Sequence, residues 1–149
     1  MANSIQQAKI AATPSEKVKT NELAGRVRVA FAEYEANAEQ STIHMFSLPN
    51  GARILGGRLA HDALGNSTTL SVGHAAYIDS SGSTVALDVD EFKAAASSAS
   101  ASSVAVAQTI ALGENSVVNA DKDGLPVTVT IAGADGTNTI QLQMTYVVD

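Results

Sequence analysis

The sequence predicts a mainly β fold: a β-sandwich or jelly roll with one short helix and an extended N-terminal arm. Three observations carry this. Beyond residue 25, apolar residues recur with period two over most of the chain, the spacing of half-buried strands. Turn residues break these runs at short intervals, as in Pro49-Asn50-Gly51 and Asp135-Gly136, a pattern typical of sandwiches. The 149 residues suffice for one domain, which at this length buries roughly two-thirds of its unfolded surface. The expected division is an arm over 1–25 and a β-sandwich domain, jelly-roll-like, over 26–149.

Residues 1–25 show no clean period, and Pro14 interrupts them. A short helix fits Ser4–Ala11, and the rest reads as an extended arm that Gly25 ends. In RVRVAFAEY, Val27, Val29 and Phe31 share one face while Arg26, Arg28 and Ala30 share the other. EANAEQS reads as a polar loop. TIHMFSL is the next strand, with Ile43 and Met45 opposite His44, Phe46 and Leu48. Pro fixes φ and Asn-Gly tolerates positive φ, so Pro49-Asn50-Gly51 is a turn. ARILGGRL follows, its Gly56-Gly57 pair predicting a bulge or a close backbone approach. After a Leu64-Gly65-Asn66 turn, TTLSVGHAAYI alternates again.

DSSGST is a loop, and VAL is a candidate short strand. Asp88 with Glu91 three residues later resembles a capping pair, and Val89, Phe92 and Ala96 fall near helical spacing. The spacing therefore predicts a helix over roughly 89–97. The Ala/Ser-rich run over 94–107 is biased toward small residues. SVAVAQTIAL returns to a strand, and GENSVVNADKDGLP is turn-rich. VTVTIAG and TIQLQMTYVV are the last strands, with Asp135-Gly136 between them as a hairpin signal. Seven or eight strands result.

Composition narrows function. There is no cysteine, hence neither a disulfide framework nor a thiolate metal site. No apolar run approaches the ~18 residues of a membrane span, and the N-terminus lacks a signal peptide's apolar stretch. The expectation is a soluble protein that is not secreted by that route. Net charge is −6 but uneven. Residues 1–28 hold five bases (Lys9, Lys17, Lys19, Arg26, Arg28) and two acids, +3, so the remaining 121 carry −9. An acidic body without Trp is ill suited to phosphate contacts or base stacking, so no nucleic acid is expected. Without clustered bases it also gives no reason to expect a membrane surface.

Chemical motifs are weak. His61 and His74 are thirteen positions apart on separate strands, with no HxH or HExxH, whereas zinc needs three or four converging ligands. His44 reads as a strand residue. No serine lies in G-x-S-x-G, and Ser71 is mid-strand, although a triad is set by geometry rather than order. Carboxylates pair at Glu33/Glu35, Asp88/Asp90 and Asp121/Asp123. Asp121-Lys122-Asp123-Gly124 resembles the opening of a calcium loop, but Leu125 stands where a third acid is needed, and no closing Glu follows. Asn66-Ser67-Thr68 matches a glycosylation acceptor, of little meaning without a signal peptide. The expectation is no catalytic, metal or cofactor residue, no enzyme activity and no small-molecule substrate.

The segments NELAGRVRVAFAEYEA, IHMFSLPNGARILGGRL and ALGNSTTLSVGHAAY, with the ending MTYVVD, resemble the capsid cement (decoration) proteins of tailed bacteriophages. The resemblance covers about half of the chain directly. It implies a structural virion protein, made in the bacterial host's cytoplasm, that forms a homotrimer on the outside of the head. There it would tie adjacent major capsid protein subunits together, with Lys9, Lys17, Lys19, Arg26 and Arg28 meeting acidic capsid surface. The other reading is a β-sandwich module that binds carbohydrate. Sugar platforms usually need an exposed Trp or Tyr, and here only Tyr34, Tyr77 and Tyr146 are available.

Overall fold

The period-two pattern becomes ten strands among residues 3–148, which the computed structural model describes. They are β1 (Val27–Glu39), β2 (Thr42–Leu48), β3 (Arg53–His61), β4 (Thr69–His74), β5 (Tyr77–Ile78), β6 (Thr84–Val85), β7 (Asp88–Ser97), β8 (Ser102–Val106), β9 (Leu125–Ala132) and β10 (Gly136–Val147). Two four-stranded sheets stack face to face. Sheet A has the order β1-β10-β3-β8, sheet B the order β2-β9-β4-β7. β5 and β6 form a separate small hairpin.

The pairing is nested. β1 pairs with β10, β2 with β9, β3 with β8 and β4 with β7, all antiparallel. One half of the chain lies along the other, and this long double ribbon is rolled into two sheets. That is a jelly roll. The turns after β2, β3 and β9 therefore carry the chain from one sheet to the other rather than closing hairpins. Asp135-Gly136 is such a crossing: β9 pairs with β2 and β4, and β10 with β1 and β3. The hairpin expected there is corrected to a corner between sheets.

The core lies between the sheets. Leu59, Ile140, Leu142 and Met144 face inward from sheet A, and Leu70, Val72, Val127, Val129 and Ile131 from sheet B, all buried. Bulges displace the simple alternation. In β2 the register shifts between His44 and Phe46, so Ile43 and Leu48 are both buried although five residues apart. The Gly56-Gly57 expectation holds. The β3–β10 register shifts between Ile54 and Gly56, and Gly56 takes φ +133°. A Cβ on Gly57 would lie 2.6 Å from the Gln143 carbonyl oxygen.

Three further expectations are corrected. Residues 89–97 are strand, not helix. Asp88 Oδ1 accepts from the Asp90 backbone N–H at 3.1 Å, a local turn bond rather than a helix cap, and β7 pairs with β4. Only Phe92 is buried, while Ala94–Ser97 run along an exposed edge, so helix propensity is overridden by a sheet partner. SVAVAQTIAL is strand only to Val106. Ala107 takes φ +52°, Thr109 caps a single 3-10 turn over Ile110–Leu112, and Gly113 closes it at φ +77°. EANAEQS is not a loop either, since β1 runs on to Glu39.

Before β1, the chain doubles back instead of simply extending. Helix α1 (Ile5–Ala11) is capped by Ser4, whose Oγ accepts from Gln7 N–H at 3.2 Å. Gln6 and Lys9 of α1 both reach Glu22, at 3.3 and 3.5 Å.

Gly73 allows one close crossing. A Cβ there would collide with the backbone of Asp88, Val89 and Asp90. Gly73→Val is expected to force β7 off β4 at about 1–3 kcal/mol, read as a lower urea midpoint. An unchanged midpoint would mean that the β7 backbone yields freely.

Candidate interaction surface

The titratable residues singled out from the sequence are scattered. His61 ends β3 next to the turn into β4, whereas His74 lies at the far end of β4. Each is buried, with its Nδ1 against a backbone carbonyl, His61 on Asp62 at 2.8 Å and His74 on Ala75 at 3.0 Å. His74 also packs edge-on against the Tyr77 ring, 5.3 Å between centroids. His44 Nε2 lies 3.2 Å from the Ser47 hydroxyl. Among the described residues no three His, Asp or Glu side chains converge on a metal position.

The carboxylates are engaged locally. In the 121–124 turn, Asp121 Oδ1 accepts from Asp123 N–H at 2.9 Å, and Lys122 Nζ bonds Asp123 at 2.6 Å. A lysine thus occupies the side of the turn where a cation would need that carboxylate. Asp88 is held below the usual carboxylate range, chiefly by the Asp90 backbone N–H, and Asp90 is raised by its bond with Asp88. The tyrosines are committed too. Tyr34 donates to Glu39 at 2.6 Å, which raises the phenol and lowers the acid. Tyr77 is against His74, and Tyr146 packs against the core.

What stands out is the outer face of sheet A. Residues paired across strands point to the same side, so β1 sends Val27, Val29, Phe31, Glu33 and Glu35 outward, over Gln143, Gln141 and Thr139 of β10. β3 adds Arg58 and Ala60. A shallow polar hollow of about 520 Å³ lies here, between Glu33, Gln141, Ala60, Asp62 and Ser102. Glu33 accepts from Gln141 Nε2 at 2.6 Å and Glu35 from Thr139 Oγ1 at 2.7 Å. The inward face of β1 carries Ala30, Ala32, Tyr34 and Ala36 instead. The sequence offered both faces of this strand without indicating which is buried. The signal was the small side chains at 30, 32 and 36, which fit a corner where two sheets close up.

The five basic residues are placed differently. Lys9 bonds Glu22, while Lys17 and Lys19 are exposed, as are Arg26 and Arg28 at the start of β1. The root of the segment is anchored: Asn21 Nδ2 donates to Gly51 O at 2.8 Å, and Arg53 Nε donates to Asn21 O at 3.0 Å.

No family model matches the sequence, and no curated protein is similar to it. Solved structures are similar. A chain of the cyanophage Pam1 capsid asymmetric unit matches with TM-score 0.59 and 20% identity, over 84% of this chain and 86% of that one. The fold is one found in phage capsids. A chain of the Ralstonia phage GP4 capsid matches at TM-score 0.60 and 22% identity, over the same shares. A chain of the acidic stable capsid of Helicobacter pylori bacteriophage KHP30 gives TM-score 0.51 and 18%, over 82% and 87%. Each match spans most of both chains, so these are chains of similar length. Among the described residues no helix is long and apolar enough to cross a membrane.

Proposed function

We propose that this chain is a capsid cement (decoration) protein. It forms a homotrimer on the outer surface of a tailed-phage head and ties adjacent major capsid protein subunits together. The observation that carries the reading is the likeness of fold, over 84% of this chain, to similarly sized chains of phage capsids. The sequence resemblance in β1, β3 and β4 points the same way. In this reading the chain acts by binding and symmetry, with no substrate, cofactor or nucleic acid. Threefold positions on a shell call for a cyclic trimer. Lys9, Lys17, Lys19, Arg26 and Arg28 are the capsid-contact residues.

The test is co-sedimentation with emptied shells of the phage that encodes the chain. Saturable binding at a fixed number of copies per shell is the expected result, with a solution mass three times 15.2 kDa. Shells that pellet without the chain would overturn the reading. Capture of a sugar on a glycan array would then favour the carbohydrate module.

A further inference from the structure

Asn21 is the one buried residue among those described before β1. Its burial does not serve packing alone. The side-chain Oδ1 is buried with no partner, which costs stability where an apolar side chain of similar size would not. What the amide supplies is Nδ2, which donates to the Gly51 carbonyl in the turn between β2 and β3 at 2.8 Å. The backbone oxygen of the same residue accepts from Arg53 Nε at 3.0 Å, and Arg53 Nη1 donates to Asn115 O at 2.7 Å. Arg53 joins no ion pair among the described residues. Its planar fork spans two carbonyls from distant parts of the chain, which the single ammonium of a lysine does not reproduce. The mount extends to both sides of Asn21. Toward β1, Ala24 turns the chain at φ +63°, and a Cβ on Gly25 would collide with Val147 and with the Thr20 carbonyl oxygen. Toward the N-terminus, Glu22 gathers Gln6 and Lys9 of α1 and the Lys19 backbone N–H. Lys17 and Lys19 thus sit in a loop that is closed at Glu22 and pinned at Asn21.

We infer that Asn21 and Arg53 form a latch that holds the basic segment folded against the body, so that Lys17 and Lys19 are in place before any partner is met. A segment already ordered gives up less conformational freedom on binding, and the saving appears as affinity. The consequence for attachment rests on the proposed cement role. In that role Asn21 and Arg53 are positioning residues, acting through Lys17 and Lys19.

The experiment pairs limited trypsin digestion of the full chain with co-sedimentation on emptied shells, for wild type, Asn21→Ala, Arg53→Ala and Arg53→Lys. Cleavage after Lys17 and Lys19 follows the population in which the segment has opened. Asn21→Ala and both Arg53 variants should be cut there at least about tenfold faster, with Tm within a few degrees of wild type, because the opening is local. They should also bind shells at least about tenfold more weakly, since the segment must then be ordered on binding. Arg53→Lys separates the latch from charge: a lysine that keeps wild-type cleavage and attachment overturns the two-carbonyl clamp. Asn21→Ala lies outside the core and keeps the test open if the Arg53 variants fail to fold. Unchanged cleavage in Asn21→Ala overturns the latch. Faster cleavage with undiminished attachment overturns its part in positioning. Shell binding by wild type is scored separately: a wild type that ignores shells refutes the proposed function, and the cleavage rates still decide the latch.

Discussion

A chain lacking residues 1–20 is expected to remain in the supernatant when emptied shells are pelleted, while it melts within a few degrees of the full chain. The removed segment carries Lys9, Lys17 and Lys19, and none of its described residues belongs to the core. Its root is retained, because the Asn21 bonds to Gly51 and from Arg53 lie beyond the cut. In the proposed trimer three such segments would act together, so linked weak contacts would multiply to avidities about 10²–10⁴ above one segment alone. Losing all three is therefore far costlier than losing one lysine. Exposed charges are also screened, so attachment of the intact chain should fall as salt rises from low to physiological strength. A truncated chain that still pellets with the shells would remove the arm from the mechanism.

The second large effect is on stability. Leu142 is fully buried at the middle of β10, in register with Ala32 of β1 and Leu59 of β3. Leu142→Ala removes three buried carbons from the layer between the sheets and leaves a cavity that both sheets resist closing. The expected loss is about 2–5 kcal/mol, which for a chain of this size lowers Tm by about 5–20 °C. The neighbour Gln143 points outward and is exposed, so Gln143→Ala should move stability by no more than about 0.5 kcal/mol. Matched urea melts of the two variants decide it. Equal effects would mean that β10 does not face the core as its register requires.

Much of the sandwich could be read along the chain because a strand half in water writes period two. β10 is the clearest case, with Ile140, Leu142 and Met144 all buried. The errors have physical causes. Asp88 and Glu91 satisfy a local helix rule, yet their segment lies beside β4, whose backbone groups need partners. Asp135-Gly136 makes a tight turn in either topology, and only distant pairing decides between hairpin and corner. The bulge in β2 adds one residue on one strand, which no alternation reveals. The β1 row was visible as Val27, Val29 and Phe31, but its exposure depends on where β10 and the second sheet lie.

The nested pairing also fixes an order of events during synthesis. β1 finds its partner only in β10, about a hundred residues later. A ribosome adding about 5–20 residues per second leaves the first strand waiting for several seconds. Sheet A then closes last, after the chain is nearly complete, because such distant contacts must pay loop closure before they return anything. Throughout that interval Val27, Val29 and Phe31 are bare and β1 lacks even its one native neighbour. Slowing translation across β9 and β10 is therefore expected to divert more of this protein into aggregates.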